Sequence, residues 1–142
     1  MIRPVEGLGA AEMITSYIKI VPNPTPTDLG LPQQVELFGW IERETGVAPA
    51  VVDSADVLRD PGRVLGGLCA RLGVAWCEEM LRWEAGARDT DGVWGPWWYD
   101  AVYRSTGFGP ARSKGEEVPA RLRGVLEECE GLYKVMAGRR IR

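Results

Sequence analysis

A single short strand signal among helices is the feature that most limits what this 142-residue chain can fold into. Residues 50–53, Ala-Val-Val-Asp, are β-branched at their centre, follow Pro49 and lead into an Asp/Ser turn, which is the pattern of a short buried strand. One strand cannot form a sheet, and strands separated by helices pair in parallel with neighbours. The sequence therefore predicts an incomplete sheet. Its other strands would come from an imperfect strand at Met1–Val5, from a missing segment or from another chain.

Helical periodicity accounts for most of the remaining chain. Apolar residues recur at helical spacing in four segments, each bounded by Pro or Gly, at 10–21, 31–45, 61–72 and 119–137. Asp60 followed by Pro61 supplies an N-cap and a proline at the first helical position, so the third segment is the best-defined helix. We expect a single partial domain over 1–142, with about five helices, at most two short strands and an irregular N-terminus at 1–9.

Aromatic side chains are concentrated in residues 83–108. Four of the six tryptophans lie there, and the aromatic residues of the segment are Trp83, Trp94, Trp97, Trp98, Tyr99, Tyr103 and Phe108. Pro96 and Gly107 bound a predicted helix of about ten residues. We expect this helix to be buried, with Trp94 and Trp98 packed in the core. The alternative is a stacking platform for a planar or sugar ligand.

Composition excludes several classes of function. The formal net charge of −3 gives no basic field, so neither nucleic acid nor an anionic membrane is an expected partner. No apolar run is long enough to span a bilayer, and the N-terminus lacks a basic-then-apolar signal, which predicts a cytoplasmic protein.

Histidine is absent, which removes the commonest metal ligand and the commonest general base. A Ser-His-Asp or Cys-His mechanism within this chain is therefore excluded. The three cysteines are Cys69, Cys77 and Cys129, and their spacing is not that of a metal site, so we expect no metal. Cys69 and Cys129 fall on apolar helical faces and are predicted to be inert core thiols.

Two groups of residues resemble a known family. The first group is Trp83 and Gly86, then 91–94, Asp-Gly-Val-Trp, 98–99, Trp-Tyr, and 105–108, Ser-Thr-Gly-Phe; the second is 51–53, 56–61 and 68–73. The first resembles the C-terminal signature of a sulfotransferase-like branch of the P-loop nucleotide-binding proteins. In some plant relatives this domain accompanies a branched-chain aminotransferase-like domain. The second is similar to the strand, acidic turn and helix that sulfotransferases carry after their second nucleotide-binding motif.

The resemblance covers about Glu12 to the C-terminus and implies an α/β fold. This chain would be the C-terminal half of a doubly wound domain and would itself be mainly helical. The family transfers a sulfuryl group from 3′-phosphoadenosine-5′-phosphosulfate to an alcohol or amine. Such a site needs a phosphate-cradling loop, cationic clamps and a base for the acceptor. The chain has no Gly-rich loop followed by Lys, Ser or Thr and no histidine, so we expect it to be inactive in isolation.

The resemblance also implies candidate residues for the grip on the 3′-phosphate. The family uses an arginine at a strand end and a serine eight residues later, and residues 12–17 resemble the serine part, which assigns Ser16. Leu8 stands where the arginine is expected, so Arg3 is the candidate cation. Arg104, Ser105, Thr106 and Gly107 occupy roughly the place of a second, basic phosphate-gripping loop. The alternatives are a Ser16 hydroxyl bonded to its own backbone and an ordinary helix C-cap at 106–107.

Three functions compete at this point. The chain is the C-terminal half of a sulfotransferase-like enzyme, inactive alone; or it is a non-catalytic binding or regulatory module; or it is a sugar-binding module that uses the tryptophans. The second would pair with an N-terminal half or a homologous chain through the orphan sheet edge. The sequence leaves open the acceptor, the oligomeric state and whether Met1 is the true start.

Overall fold

The computed structural model describes residues 9–93, 95–110 and 115–141, and this part of the chain is mainly helical. The helices are α1 (Ala10–Tyr17), α2 (Leu31–Thr45), α3 (Ser54–Arg59), α4 (Pro61–Leu72), α5 (Gly95–Trp98), α6 (Asp100–Tyr103) and α7 (Arg123–Ala137). Glu78–Leu81 and Ala120–Leu122 form short 3₁₀ segments. The predicted irregular N-terminus and the Met1–Val5 strand fall almost entirely outside the described residues.

Local capping signals place the long helices where the sequence predicts them. Asp60 caps α4, because its Oδ1 accepts a hydrogen bond from the backbone N–H of Arg63 at 3.1 Å. Gly46 and Gly73 end α2 and α4 with φ values of 69° and 67°, a conformation that glycine adopts without strain. Helix α1 is shorter than predicted. It ends at Tyr17, and a turn at 18–20 leads to Pro22, which cannot continue a helix.

The predicted strand at 50–53 is reduced to one isolated bridge, so its predicted extent is wrong. Val51 pairs in parallel with Arg140, and the backbone N–H of Ile141 donates to the carbonyl of Val51 at 2.9 Å. Val52 is 37% exposed, and its backbone makes no hydrogen bond within the described residues. Among the described residues, Arg140 is the only one that pairs with this segment, so no longer ladder forms.

Helix α7 lies at the centre of the packing and contacts both α1 and α2. The buried cluster between these elements consists of Ala10, Ile14, Leu29, Leu31, Leu122 and Cys129. Ile14 and Cys129 have no exposed surface, and burial raises the pKa of the Cys129 thiol, which keeps it neutral. Cys69 is also buried, with its Sγ 3.8 Å from the sulfur of Met80. Both cysteines are therefore core residues, as predicted.

A polar junction ties α3 to the end of α7. The Oδ1 atom of Asp53 accepts from the N–H of Ala55 at 2.8 Å and caps α3, and its Oδ2 accepts from the hydroxyl of Tyr133. Asp56 is 8% exposed, and its two oxygens accept from Arg59 at 2.8 Å and Arg140 at 2.7 Å. Every one of these carboxylate oxygens therefore has a partner, which offsets the cost of taking the charges out of water.

The aromatic segment departs from its prediction of one buried helix. The helix breaks at Tyr99 into α5 and α6, and Trp97 and Trp98 are 75% and 42% exposed, so the predicted burial of Trp98 is wrong. Trp94 lies outside the described residues. Trp97 and Trp98 are exposed because Gly95 is buried against the hydroxyl of Tyr103, where a Cβ atom would clash. Gly95 and Tyr103 thus occupy the inner side, and Trp97 and Trp98 face outward.

We expect Tyr133→Phe to weaken the fold and to change its response to alkali. Burial and the bond to Asp53 raise the pKa of Tyr133 from 10.0 to about 12, so the folded state favours the neutral phenol. The stability that this provides is fully present below pH 10 and is lost as the pH rises towards 12. Loss of one hydrogen bond to a charged acceptor should cost about 1.5–3 kcal/mol at neutral pH.

Urea denaturation across that pH window measures the effect. Between pH 10 and about pH 12, the unfolding free energy of Tyr133→Phe should fall less steeply than that of the parent chain. Tyr99→Phe is the control, because the Tyr99 hydroxyl makes no hydrogen bond within the described residues. Equal slopes in the parent chain and Tyr133→Phe would contradict the assignment.

Candidate functional site

Ser16 lies on the wall of the larger of two described pockets, which has a volume of about 510 Å³. The pocket is lined by one face of α1, the turn before α2, one side of α3, the end of α5 and the chain after α6. These residues are Glu12, Met13, Ser16, Tyr17, Asp28, Leu29, Ser54, Leu58, Trp98 and Pro110. Ser16 is exposed, and its hydroxyl makes no hydrogen bond in the described part of the chain. The neighbouring Thr15 bonds back to the carbonyl of Glu12 instead, at 3.2 Å.

An aromatic pair forms one side of this pocket. The rings of Tyr17 and Trp98 are stacked, with centroids 6.3 Å apart and an angle of 23° between planes. Part of the exposed surface of Trp98 therefore faces a pocket of ligand size. For Trp98, this geometry favours the stacking-platform alternative over core packing.

The charge that lines the pocket is negative. Glu12 and Asp28 contribute carboxylates, and no Lys or Arg is among its described lining residues. Asp28 is held by Thr25, whose backbone N–H and hydroxyl both donate to its Oδ2 at 2.7 Å and lower the pKa of the carboxyl. The Oε2 atom of Glu12 is buried and finds no hydrogen-bond partner in the structure as described.

The second predicted group, Arg104 to Gly107, lies away from that pocket and is engaged in local contacts. Arg104 forms an exposed ion pair with Asp100. The Ser105 hydroxyl accepts from the indole N–H of Trp83 at 3.0 Å and donates to the carbonyl of Val102 at 2.7 Å.

Thr106 and Gly107 belong to a short antiparallel contact instead of a helix C-cap. The backbone N–H of Trp83 donates to the Thr106 carbonyl at 3.2 Å, and Gly107 forms a bridge with Arg82. A Cβ on Gly107 would lie 3.0 Å from the carbonyl of Leu81, so close backbone approach explains the glycine. The structure thus does not bring residues 104–107 together with Ser16, and Arg3 lies outside the described residues.

Two charged residues of the pocket, Glu12 and Asp28, were not predicted from the sequence. Glu12 could have been found, because it precedes Ser16 by four positions and so shares its helical face. Asp28 could not, since it reaches the pocket through tertiary packing. Trp98 was predicted only within the alternative of a stacking platform. Among residues 9–93, 95–110 and 115–141, no group of three His, Cys, Asp or Glu side chains could hold a metal. Nor does this part contain a helix long and apolar enough to cross a membrane.

Comparison with known proteins decides the family. The family model described as "Sulfotransferase domain" matches residues 8–140. The chain belongs to this sulfotransferase-domain family. The resemblance inferred from the sequence is therefore confirmed at the level of the family.

Two curated relatives of this sulfotransferase-family chain come from Arabidopsis thaliana. They are branched-chain-amino-acid aminotransferase-like protein 2, 34% identical over 124 residues, and protein 1, 36% identical over 124 residues. Each alignment covers 87% of this chain and 22% of the relative, so the chain spans less than a quarter of the length of these relatives. No solved structure matches it.

We expect Trp98→Ala to destabilise the sulfotransferase-family chain less than Trp83→Ala. Trp83 is the more enclosed of the two, packs edge-on against Phe108 with centroids 5.2 Å apart and donates to Ser105, so its loss should cost about 3–5 kcal/mol. Trp98 is 42% exposed, and its truncation should cost about 1–2 kcal/mol. Urea denaturation of both variants measures the difference, and equal losses would show that Trp98 is a core residue.

Proposed function

We propose that this chain forms the part of a sulfotransferase domain that meets the 3′-phosphate end of 3′-phosphoadenosine-5′-phosphosulfate, and that it does not complete the donor site alone. One observation carries the proposal: within a family match over residues 8–140, the unbonded hydroxyl of Ser16 faces a pocket of ligand size. The Tyr17–Trp98 pair supplies a flat apolar surface of the kind that suits a planar ring.

The described lining does not fit the phosphate itself. Phosphate groups are bound by Arg, Lys and backbone N–H donors, whereas Glu12 and Asp28 would repel a phosphate in this pocket. Arg104 is paired with Asp100 and lies elsewhere. The cation would therefore have to come from residues beyond the described part, Arg3 among them, or from another chain.

Catalysis requires more than binding of the nucleotide. Transfer of a sulfuryl group requires donors aimed at the charge that develops on its oxygens, and a base for the acceptor. The sequence holds no Gly-rich loop followed by Lys, Ser or Thr and no histidine, which are the parts that the family resemblance calls for. We infer that the isolated chain performs no sulfuryl transfer.

Calorimetric titration of the 142-residue chain with 3′-phosphoadenosine-5′-phosphate tests the proposal. We expect weak binding or none, because the described pocket offers no cation for the phosphates. Ser54→Ala, which removes the other serine of the same pocket, is the matched control for Ser16→Ala. Micromolar binding that Ser16→Ala abolishes and Ser54→Ala leaves intact would show that the chain forms a complete donor site.

A second function, a binding module that pairs with a homologous chain, is favoured by a different surface. A pocket of about 230 Å³ lies beside the Val51 bridge. Its lining is largely apolar and consists of Gln34, Leu37, Phe38, Ile41, Pro49, Ala50, Val51, Val52 and Met136. Leu37 is 54% exposed, and the unpaired backbone of Val52 lies next to it in the same pocket. An apolar surface bordering a free strand edge is a site at which another chain can add a strand.

Sedimentation analysis over a range of concentrations tests this pairing. We expect reversible self-association that Leu37→Ser weakens at least tenfold, because the substitution removes apolar area at the contact. Leu72→Ser is the control, since Leu72 is 62% exposed on α4, somewhat more than Leu37, but does not line this pocket. A chain that stays monomeric at every concentration, or that responds equally to both substitutions, would contradict the pairing.

A further inference from the structure

The pocket that holds Ser16 has an electrostatic character opposite to that of an anion site. Two carboxylates, those of Glu12 and Asp28, line a cavity of about 510 Å³ that carries no Lys or Arg among its described residues. Thr25 donates twice to one oxygen of Asp28 and thereby lowers the pKa of that carboxyl, so its charge is retained in the folded chain.

Glu12 indicates a ligand more specifically than Asp28 does. Its Oε2 atom is buried, yet the described residues offer it no hydrogen-bond donor. A buried acceptor without a partner is costly, so the Glu12 carboxylate would gain from turning into the cavity and accepting a hydrogen bond from a ligand. The other polar side chains of the lining, Ser16 and Ser54, make no hydrogen bonds within the described structure and remain available to a ligand.

The aromatic wall favours the same sign of ligand charge. The faces of Trp and Tyr rings carry negative electrostatic potential and attract cations within about 6 Å of the ring centre. Trp98 and Tyr17 stack in the same cavity as Glu12, and Met13, Leu29 and Leu58 complete an apolar surface around them. A ligand with an apolar body and one cationic group would match all of these features.

We propose that this pocket binds a protonated amine carried on an aromatic or apolar body, with the ammonium group at Glu12 and the body against Tyr17 and Trp98. The preference belongs to the described residues of this chain and goes beyond the proposed role in donor binding. It would hold whether or not further cations, supplied from elsewhere, adapt the same pocket to a nucleotide.

Three probes that share one ring and differ in charge test the proposal by calorimetry or by NMR titration of the chain: phenethylamine, 2-phenylethanol and phenylacetate. We expect phenethylamine to bind at least tenfold more tightly than 2-phenylethanol, and phenylacetate to bind most weakly. Glu12→Gln should reduce the preference for the amine over the alcohol severalfold, with the charge of Asp28 accounting for what remains, while binding of the alcohol is retained. Glu36→Gln, an exposed glutamate of α2 outside the pocket, should leave the preference unchanged.

A second variant keeps the test independent of Glu12. Trp98→Leu removes the ring but keeps an apolar side chain, and it should lower phenethylamine affinity by about three- to tenfold. The proposal is overturned if phenethylamine does not bind at millimolar concentration, if phenylacetate binds as tightly, or if Glu12→Gln leaves the preference for the amine undiminished. Binding of 3′-phosphoadenosine-5′-phosphate by itself tests only the donor proposal. If this nucleotide displaces phenethylamine at a lower concentration than a second amine does, the ammonium site is also overturned.

Discussion

The structure depends on the junction at which two aspartates from the start of α3 meet the end of α7. Asp53 and Asp56 lie more than 75 positions before their partners Tyr133 and Arg140 in the sequence, yet each carboxylate is satisfied by both a local and a distant donor. Removing one partner of such a buried pair leaves an unpaired charge, so the contacts act as a unit. This junction fixes α3 and α4 relative to the bundle of α1, α2 and α7, and so sets the position of Ser54 and Leu58 in the larger pocket.

The features of the fold that depend on residues close together in the sequence could be predicted, and those that depend on distant residues could not. The ends of α2 and α4 depend on residues within one turn, such as Asp60 and Gly73, and the sequence predicted them well. The start of α7 was predicted four residues too early, because a 3₁₀ segment at Ala120–Leu122 precedes it. The strand at 50–53 depends on neighbours far away in sequence, and within the described part of the chain only Arg140 pairs with Val51. Propensity alone therefore overestimated its length.

The candidate site likewise combines residues that could be predicted from the local sequence with residues that only folding brings together. Ser16 was predicted through its resemblance to a family motif, and Glu12 shares its helical face, but the charge of the pocket comes equally from Asp28, which arrives by folding. Trp98 of α5 was predicted to be buried because large aromatic residues usually are. The small size of Gly95 reversed that outcome, since it lets Tyr103 fill the inner side.

Tyr17 and Met13 belong to two environments at once, because both pack against the buried cluster around Ile14 and both line the larger pocket. A molecule that binds there can bind only when α1 is folded onto α7. Binding and folding are then thermodynamically linked, and at a ligand concentration one hundred times its dissociation constant the folded state gains about 2.7 kcal/mol. For a domain of ordinary marginal stability, that gain is a substantial fraction of the total. The melting temperature of the chain would thus report occupancy of the pocket by any ligand, whatever its chemistry.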